Sequence, residues 1–562
     1  MASTIHGYEG TGRSLSIKLI NQLRQQSNIN SNDSTSSRHL KEVKLDQAIR
    51  YADNDQIESW LNRLLLLDST NAELLNEGYP KLEDLELYYV NRDTLFSFHK
   101  GSEIFLKKLM SLFVSSHYKN SPNDLQLLSD APAHSIFVLC RNIEKDKDAG
   151  SKSIPDIYAA IQICEEGGIS KNVILNNNKR GFKPAGDLIP WTISEHYQDN
   201  EFPNLTGVRI VRIATHPDCH RMGYGSRALE LLTQFYEGKC INLNSDNLSS
   251  MKNSKNSKND TENNSKADLA NEEVKPRKKL SPLLVKTTDI KPTFVYYLGT
   301  AFGLTKELFS FWRKNEFYPL YLKLTENDIT GEHSCIMIRP FDVKDSTLRF
   351  NPNSDIFPAE YGNKIKWLNP FLADFKKRLI TLLGYEFRNF PLRLSLSLID
   401  PQINSTTNDA KDDDLEEINE AESNGVSDKK MKGLNKSVLD VFISQYDYKR
   451  LEMYTKNLVK YQMIIDLIPI IAKFFFLRKF TNLKLSYIQA AILLGFGLQF
   501  KSFDSIAEEL NIQTSQLLAM FNKMIKKFTN AIKAIYEFEI EKEDTANKNK
   551  NSIQVILKFY FL

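Results

Sequence analysis

Residues 208–230 hold the spacing best suited to chemistry in this chain. Val208, Ile210, Ile213 and Thr215 favour a strand, because β-branched side chains fit a pleated surface. Gly223 and Gly225 follow, where the backbone must turn and come close to a ligand. Ser226 is placed to cap a helix that continues through Ala228, Leu229, Leu231 and Leu232. The first N–H groups of such a helix attract phosphate oxygens. A strand–glycine–helix element also occurs with no phosphate ligand, so this segment alone leaves both readings open. A dinucleotide fingerprint fits less well. It needs Gly-x-Gly-x-x-Gly directly after the strand and an acidic residue about 20 positions on.

Proton transfer near neutral pH points to histidine. His117, His216 and His333 are the candidates, each with a plain structural alternative: a helix histidine, a turn-shaping residue and a core strand residue. Asp130 and Glu332 are further acid–base candidates. Near the start, Gly7 and Gly12 nearly satisfy Gly-x-x-x-x-Gly-Lys-(Ser/Thr), but Arg13 stands where the pattern needs lysine. A planar guanidinium does not replace a compact, movable ammonium on phosphates, so no true P-loop is expected there.

Elements that could position these residues follow from pattern. The runs 136–140 and 159–164 read as strands, and 41–67 as helix with Ile49, Ile57, Trp60, Leu61 and Leu64 on its apolar positions. Residues 87–116 read as further helix. Residues 503–521 resemble a helix-turn-helix with the turn near Asn511. After it, Lys523, Lys526, Lys527 and Lys533 recur at i,i+3/i+4 spacing. That row suits phosphate contact or a solvated helix face. Lys449 and Arg450 form a second basic pair with the same two readings.

Composition bounds the rest. With 562 residues, about three to four domains are expected. Basic and acidic residues number 73 and 70, so any nucleic-acid surface must be a local patch. The cysteines at 140, 164, 219, 240 and 335 form no Cys-x-x-Cys pair, which argues against a zinc site and against a disulfide scaffold. No signal peptide and no membrane span are expected. The most apolar stretch, 463–477, carries Asp466, Pro469 and Lys473 and suits a buried or amphipathic helix. Disorder is expected for the polar inserts 244–279 and 401–436.

Four words in order carry a resemblance. They are Ser-His-Tyr-Lys-Asn at 116–120, Gly-Asp-Leu-Ile-Pro-Trp-Thr at 186–192, His-Arg-Met-Gly-Tyr-Gly at 220–225, and Leu-Thr-Glu-Asn-Asp-Ile-Thr-Gly-Glu-His-Ser-Cys-Ile-Met at 324–337. The third is similar to motif A of the GNAT acetyltransferases. Together the four resemble the eukaryotic RNA cytidine acetyltransferase family, related to bacterial tRNA(Met) cytidine acetyltransferase. The resemblance runs from residue 2 to about residue 535.

It implies an α/β and α fold. Residues 1–67 would be the C-terminal remnant of a helicase-like ATPase module, and 80–340 a GNAT domain with a mixed sheet. Residues 341–541 would be a helical tRNA-binding domain and 542–562 an atypical tail. Acetyl-CoA is the implied cofactor, with Ile213, Ala214 and Thr215 along the pantetheine arm. His220, Arg221, Met222, Gly223, Tyr224, Gly225 and Ser226 would hold the pyrophosphate. Cys219, His220 and Arg221 stand where Tyr, Gln and Gly are usual in the animal members. Lys314 aligns with a basic residue of the family, with Arg313 a neighbouring substitute.

By the same resemblance His117 is the catalytic histidine, Arg50 contacts ATP, and Lys523, Lys526 and Lys527 face RNA. The family's P-loop lies upstream of these residues, so ATP hydrolysis by this chain alone is not expected. The implied partners are 18S rRNA, tRNA, small nucleolar guide RNAs, a THUMP-domain tRNA adaptor and the small-subunit pre-ribosome, in the nucleus and nucleolus. Two other readings stay open: a protein lysine acetyltransferase, and a non-catalytic ribosome-assembly factor.

Overall fold

Uninterrupted apolar strands and period-3.6 helices predict a sheet covered on both faces, and the computed structural model shows one. It describes residues 51–66, 69, 75, 78–116, 122–142, 154–181, 186–240, 281–327, 331–341, 367–399, 434, 436–480 and 483–560, at 122, 123, 178 and 539–560 for the backbone alone. The chain divides into two units, one essentially residues 1–369 and the other 370–562.

The first unit begins, among described elements, with α1 (Gln56–Leu64), whose first amides are capped by Asp55. The strands are β1 (Leu85–Val90), β2 (His134–Arg141), β3 (Ala159–Gly167), β4 (Thr206–Thr215), β5 (Leu284–Lys286), β6 (Tyr297–Gly303), β7 (Tyr318–Glu326) and β8 (His333–Pro340). They form one sheet in the order β5-β1-β2-β3-β4-β6-β8-β7. Among described residues β4 and β6 are its one parallel pair; the other neighbours run antiparallel.

The run 136–140 is buried throughout, as a central strand covered on both faces must be. On one face Ile136, Val138, Ala160 and Ala214 meet Phe105, Leu109, Leu112 and Phe113 of α3 (Lys100–Ser116). Short α2 (Arg92–Leu95) precedes that helix, and α4 (Pro122–Asp130) follows it. On the opposite face Phe137 meets Phe235 of α7 (Tyr224–Tyr236), ring centroids 5.5 Å apart. Between β3 and β4 lie α5 (Lys171–Arg180) and α6 (Leu188–Tyr197), and α8 (Lys306–Lys314) separates β6 from β7.

The helix expected over 87–116 is corrected in its first part. Residues 85–89 pair with β2 and 88–90 with β5, and helix starts only at Arg92. A short apolar run suits either state until its partners are known.

The second unit is helical: α9 (Asn369–Leu382), α10 (Leu392–Ile399), α11 (Lys436–Phe442), α12 (Gln445–Thr455), α13 (Ile468–Phe476), α14 (Tyr487–Gly497), α15 (Phe503–Leu510) and α16 (Thr514–Tyr560). α14 is buried nearly all round, which marks it as the centre of the unit. A Cβ on Gly497 would stand 2.8 Å from the Ala472 methyl, so α13 and α14 touch through a glycine. The apolar stretch 463–477 contains α13, with Ile468, Ile471, Ala472, Phe474 and Phe476 buried. No helix among the described residues is long and apolar enough to cross a membrane. The turn near Asn511 is present, that residue ending α15 at φ 55°. The helix after it runs unbroken for 47 residues, through the expected tail boundary.

Candidate acetyl-donor site

The site grows from the parallel pair. Gly207, Val208, Arg209 and Ile210 pair with Tyr297, Leu298, Gly299 and Thr300, and there the β4–β6 ladder stops among the described residues. β4 nevertheless runs on to Thr215 and β6 to Gly303. On its other side β4 shifts register against β3: Gln162 pairs with Arg212 but Ile163 with Ile210, leaving Val211 as an extra residue. A bulge bends the strand that carries it. Two strands joined at one end and parted at the other enclose a wedge, with main-chain groups of 211–215 along its side. At the joined end, a Cβ on Gly207 would fall 2.2 Å from the Tyr297 ring, so the ring lies flat on the strand.

Beyond Thr215 the chain turns tightly. His216 is 3% exposed, donates its N–H to Tyr158 O at 2.9 Å, and accepts at Nδ1 from the Asp218 N–H at 3.3 Å. It shapes the turn. The exposed His220 ring contacts Thr215 O through Nε2 at 3.1 Å. Arg221 and Gly223 take φ of 63° and 93°, and α7 begins at Tyr224. A non-glycine residue at positive φ is strained, so Arg221 carries a cost there that Gly223 does not.

Ser226 is not the cap. Gly223 holds that position without a side-chain bond, while Ser226 Oγ accepts from Asn315 Nδ2 at 3.3 Å. The helical ladder opens with Arg227 N–H to Gly223 O at 2.9 Å. The amides of Tyr224, Gly225 and Ser226 therefore precede the ladder, at the positive end of the helix dipole. A Cβ on Gly225 would lie 3.1 Å from Thr215 Oγ1 and 3.6 Å from the Phe311 ring. The first turn of α7 thus fits against the end of β4 with little room to spare. This set suits a diphosphate at the turn and an extended arm in the wedge.

The neighbouring groups sort themselves by partner. Lys314 ends α8 and is exposed; the next residue, Asn315, reaches Ser226, which places that end beside the amide turn. Arg313 is spent elsewhere: it donates to Phe317 O at 3.0 Å and lies 4.7 Å over the Tyr318 ring, so it cannot replace Lys314. Tyr224 splits between side chain and main chain. The ring is buried and its hydroxyl donates to Pro80 O at 2.7 Å, which leaves its amide for a ligand.

Of the remaining acid–base candidates, His333 is buried between β7 and β8, donating Nδ1–H to Lys323 O at 2.9 Å, a core strand histidine. Asp130 is exposed and accepts from Ser129 Oγ at 2.6 Å. Glu332 is half-buried against Gly303, where a Cβ would meet its Oε2 at 2.3 Å. His117 and Arg50 lie outside the described residues, as do Gly7–Ser14, the insert 244–279 and all of 401–436 except 434 and 436.

Sequence reasoning missed a polar strip on the α3 face of the sheet. Gln162 Nε2 donates to His134 Nδ1 at 3.0 Å, and Arg212 pairs with Asp124 of α4 at 2.7 Å. Burial lowers the His134 pKa, with Arg209, Arg92 and Arg212 adding to the effect. The signal was alternation: 134, 162 and 212 share one face across three strands. The Gly-Asp-Leu-Ile-Pro-Trp-Thr word proves architectural. Asp187 accepts from Gly167 N–H at 2.8 Å and Glu166 from Ile189 N–H at 3.1 Å, which pins α6 to the end of β3. Among the described residues no group of side chains could hold a metal ion.

In the second unit Lys523, Lys526 and Lys527 are exposed on α16, opposite buried Met524, Ile525 and Phe528. Lys527 donates to Lys484 O at 3.1 Å and Gln489 Oε1 at 3.2 Å, and Lys533 pairs with Glu537 at 3.4 Å. Arg450 is held by Asp447 and by Asp466, the latter at 2.9 Å. The basic row therefore narrows to Lys523 and Lys526.

Comparison with known proteins matches these parts in order. Residues 1–68 match the family described as RNA cytidine acetyltransferase NAT10/TcmA, helicase domain. Residues 108–342 match GNAT acetyltransferase 2, and 367–556 match "Possible tRNA binding domain". The RNA cytidine acetyltransferase of Dictyostelium discoideum is 46% identical over 95% of this chain and 49% of its own. The human protein of the same name is 43% identical over 98% of this chain and 50% of its own. That of Saccharomyces cerevisiae is 44% identical over 96% and 50%. The chain spans about half the length of the curated relatives it matches. Wedge, amide turn and helical C-terminal unit thus stand in a chain that matches a GNAT acetyltransferase domain and, over nearly all of its own length, is similar to the RNA cytidine acetyltransferases.

Proposed function

We propose that this chain transfers an acetyl group from acetyl-CoA to the N4 amine of cytidine in 18S rRNA and tRNA. The observation that carries the reading is the wedge between β4 and β6, which ends on the amides of Tyr224, Gly225 and Ser226. The diphosphate would sit on those amides, with Lys314 beside it and the pantetheine arm along Ile213, Ala214 and Thr215. An N4 amine shares its lone pair with the ring and is a poor nucleophile. The site must therefore fix the thioester, offer an N–H to the oxygen that gains charge, and accept the amine's proton. Main-chain groups of bent β4 supply candidates for the donor, and His117 is the proposed acceptor. Cytosine must be presented unstacked, which suits single-stranded RNA. Lys523 and Lys526 would steer its phosphates.

The family resemblance further supports ATP contact through Arg50, guide small nucleolar RNAs, a THUMP-domain adaptor, the small-subunit pre-ribosome and a nucleolar place of work. The test is labelled acetyl-CoA with deproteinised rRNA or tRNA, followed by nucleoside mass spectrometry. Labelled N4-acetylcytidine is expected. Label on protein alone would make the chain a lysine acetyltransferase. No label, with acetyl-CoA still bound, would make it an assembly factor.

A further inference from the structure

A short stretch, residues 78–82, lies between the helicase-like match, which ends at 68, and the acetyltransferase match, which starts at 108. Neither accounts for it. Yet it is fastened to the amide turn. Tyr224 donates its hydroxyl to Pro80 O at 2.7 Å, and Tyr158 donates to Gly78 O at 3.3 Å. Those two rings stack, centroids 5.6 Å apart and planes 12° apart, so both donors act from one rigid pair. Leu82 closes the contact: its Cδ1 lies 3.3 Å from where a Cβ on Gly223 would stand. Tyr79, Leu82 and Met222 expose 59%, 37% and 47% of their surfaces, an aromatic and two apolar groups around one turn.

Direction decides what this surface meets. Gly225 faces Thr215 and the wedge, so the pantetheine arm leaves the turn on that side. Gly223, at the other edge, faces Leu82. A coenzyme held with its arm on the Gly225 side would turn its nucleotide end toward Gly223. An exposed tyrosine ring and two apolar side chains offer a purine a face to stack on and a surface to cover. Resting on the acetyl-CoA reading above, we infer that Gly78–Leu82 is a strap forming the nucleotide wall of the coenzyme site. Tyr224 and Tyr158 are positioning residues that hold it there.

Calorimetry on the 1–562 chain with two ligands tests this. One is acetyl-CoA; the other is acetyl-phosphopantetheine, which lacks the nucleotide. Tyr224→Phe and Tyr158→Phe are expected to weaken acetyl-CoA about five- to tenfold, the scale of one lost hydrogen bond, Leu82→Asp is expected to weaken it by placing a charge on the apolar wall, and all three should leave acetyl-phosphopantetheine within twofold. Should Tyr224→Phe fail to fold, judged by its unliganded melting midpoint, Leu82→Asp and the exposed Tyr79→Ala carry the same comparison. Unchanged acetyl-CoA binding in the folded variants overturns the strap. So does an equal loss for both ligands, which would confine the segment to shaping the turn. Gly225→Glu separates the two levels. It should abolish binding of both ligands, and if it does not, the acetyl-CoA site itself is misplaced.

Discussion

The amide turn of the first unit and the lysine row of the second are both candidate anion sites, built in opposite ways. At the turn the donors are main-chain N–H groups whose positions follow from φ at Gly223, the bulge at Val211 and the fit of Gly225 against Thr215. On α16 they are ammonium groups on flexible stems, and Lys527 has already found partners within its own unit. A rigid site loses everything when one atom is in the way. A row of exposed charges loses strength by increments.

Gly225→Glu tests the first half of that contrast most severely. Its carboxylate would crowd Thr215 and repel phosphate, so acetyl-CoA binding should fall by about a hundredfold or more. Calorimetry reads this, and near-normal affinity would dissolve the contrast. Arg212→Met comes next. It removes the guanidinium from Asp124, whose side chain is 20% exposed, and breaking such a pair costs about 3 kcal/mol, measurable by urea unfolding. A loss under about 1 kcal/mol would show that the polar strip does not hold α4 to β4.

Lys523→Ala and Lys526→Ala should each lower the salt slope of RNA binding by about one unit, and Lys527→Ala by less. Equal slopes for all three would erase the distinction drawn from the Lys527 bonds. Acid titration should show a smaller effect. His134 has its folded pKa lowered from 6.5, so the unfolded chain binds the extra proton first as pH falls. Its contribution to stability is full above about 6.5 and is lost below it; His134→Gln should remove that component from a pH series of melts. Smallest is Arg221→Gly, expected to raise stability by a few tenths to about 1 kcal/mol by relieving positive φ. A drop in melting midpoint would mean the side chain makes a contact that outweighs the strain.

Local features were legible in the sequence. Alternating β-branched residues marked β4, two glycines marked the turn, and Asn511 marked the end of α15. Long-range partners were not. Tyr224 and Pro80 stand 144 positions apart, and nothing near either announces the other. Ser226 looks like a cap by type and place, but the left-handed Gly223 starts the helix earlier than a serine signal suggests. Arg313 and Lys314 are adjacent and equally basic, and only the position of Tyr318 tells which one is spent. Residues 87–90 satisfied a helical pattern because an apolar run this short carries no period of its own.

The seat of the Tyr297 ring on Gly207 leaves no room for a side chain at the joined end of the two parallel strands. From there to Thr215 is eight steps of strand, about 26 Å at the usual rise. A methyl group added at Gly207 would meet that ring at 2.2 Å, and β4 could not simply swing away because it is paired to β3 from Thr206 to Thr215. The strain of a side chain there would therefore fall on the strand that carries the site, from a position eight residues away from its end.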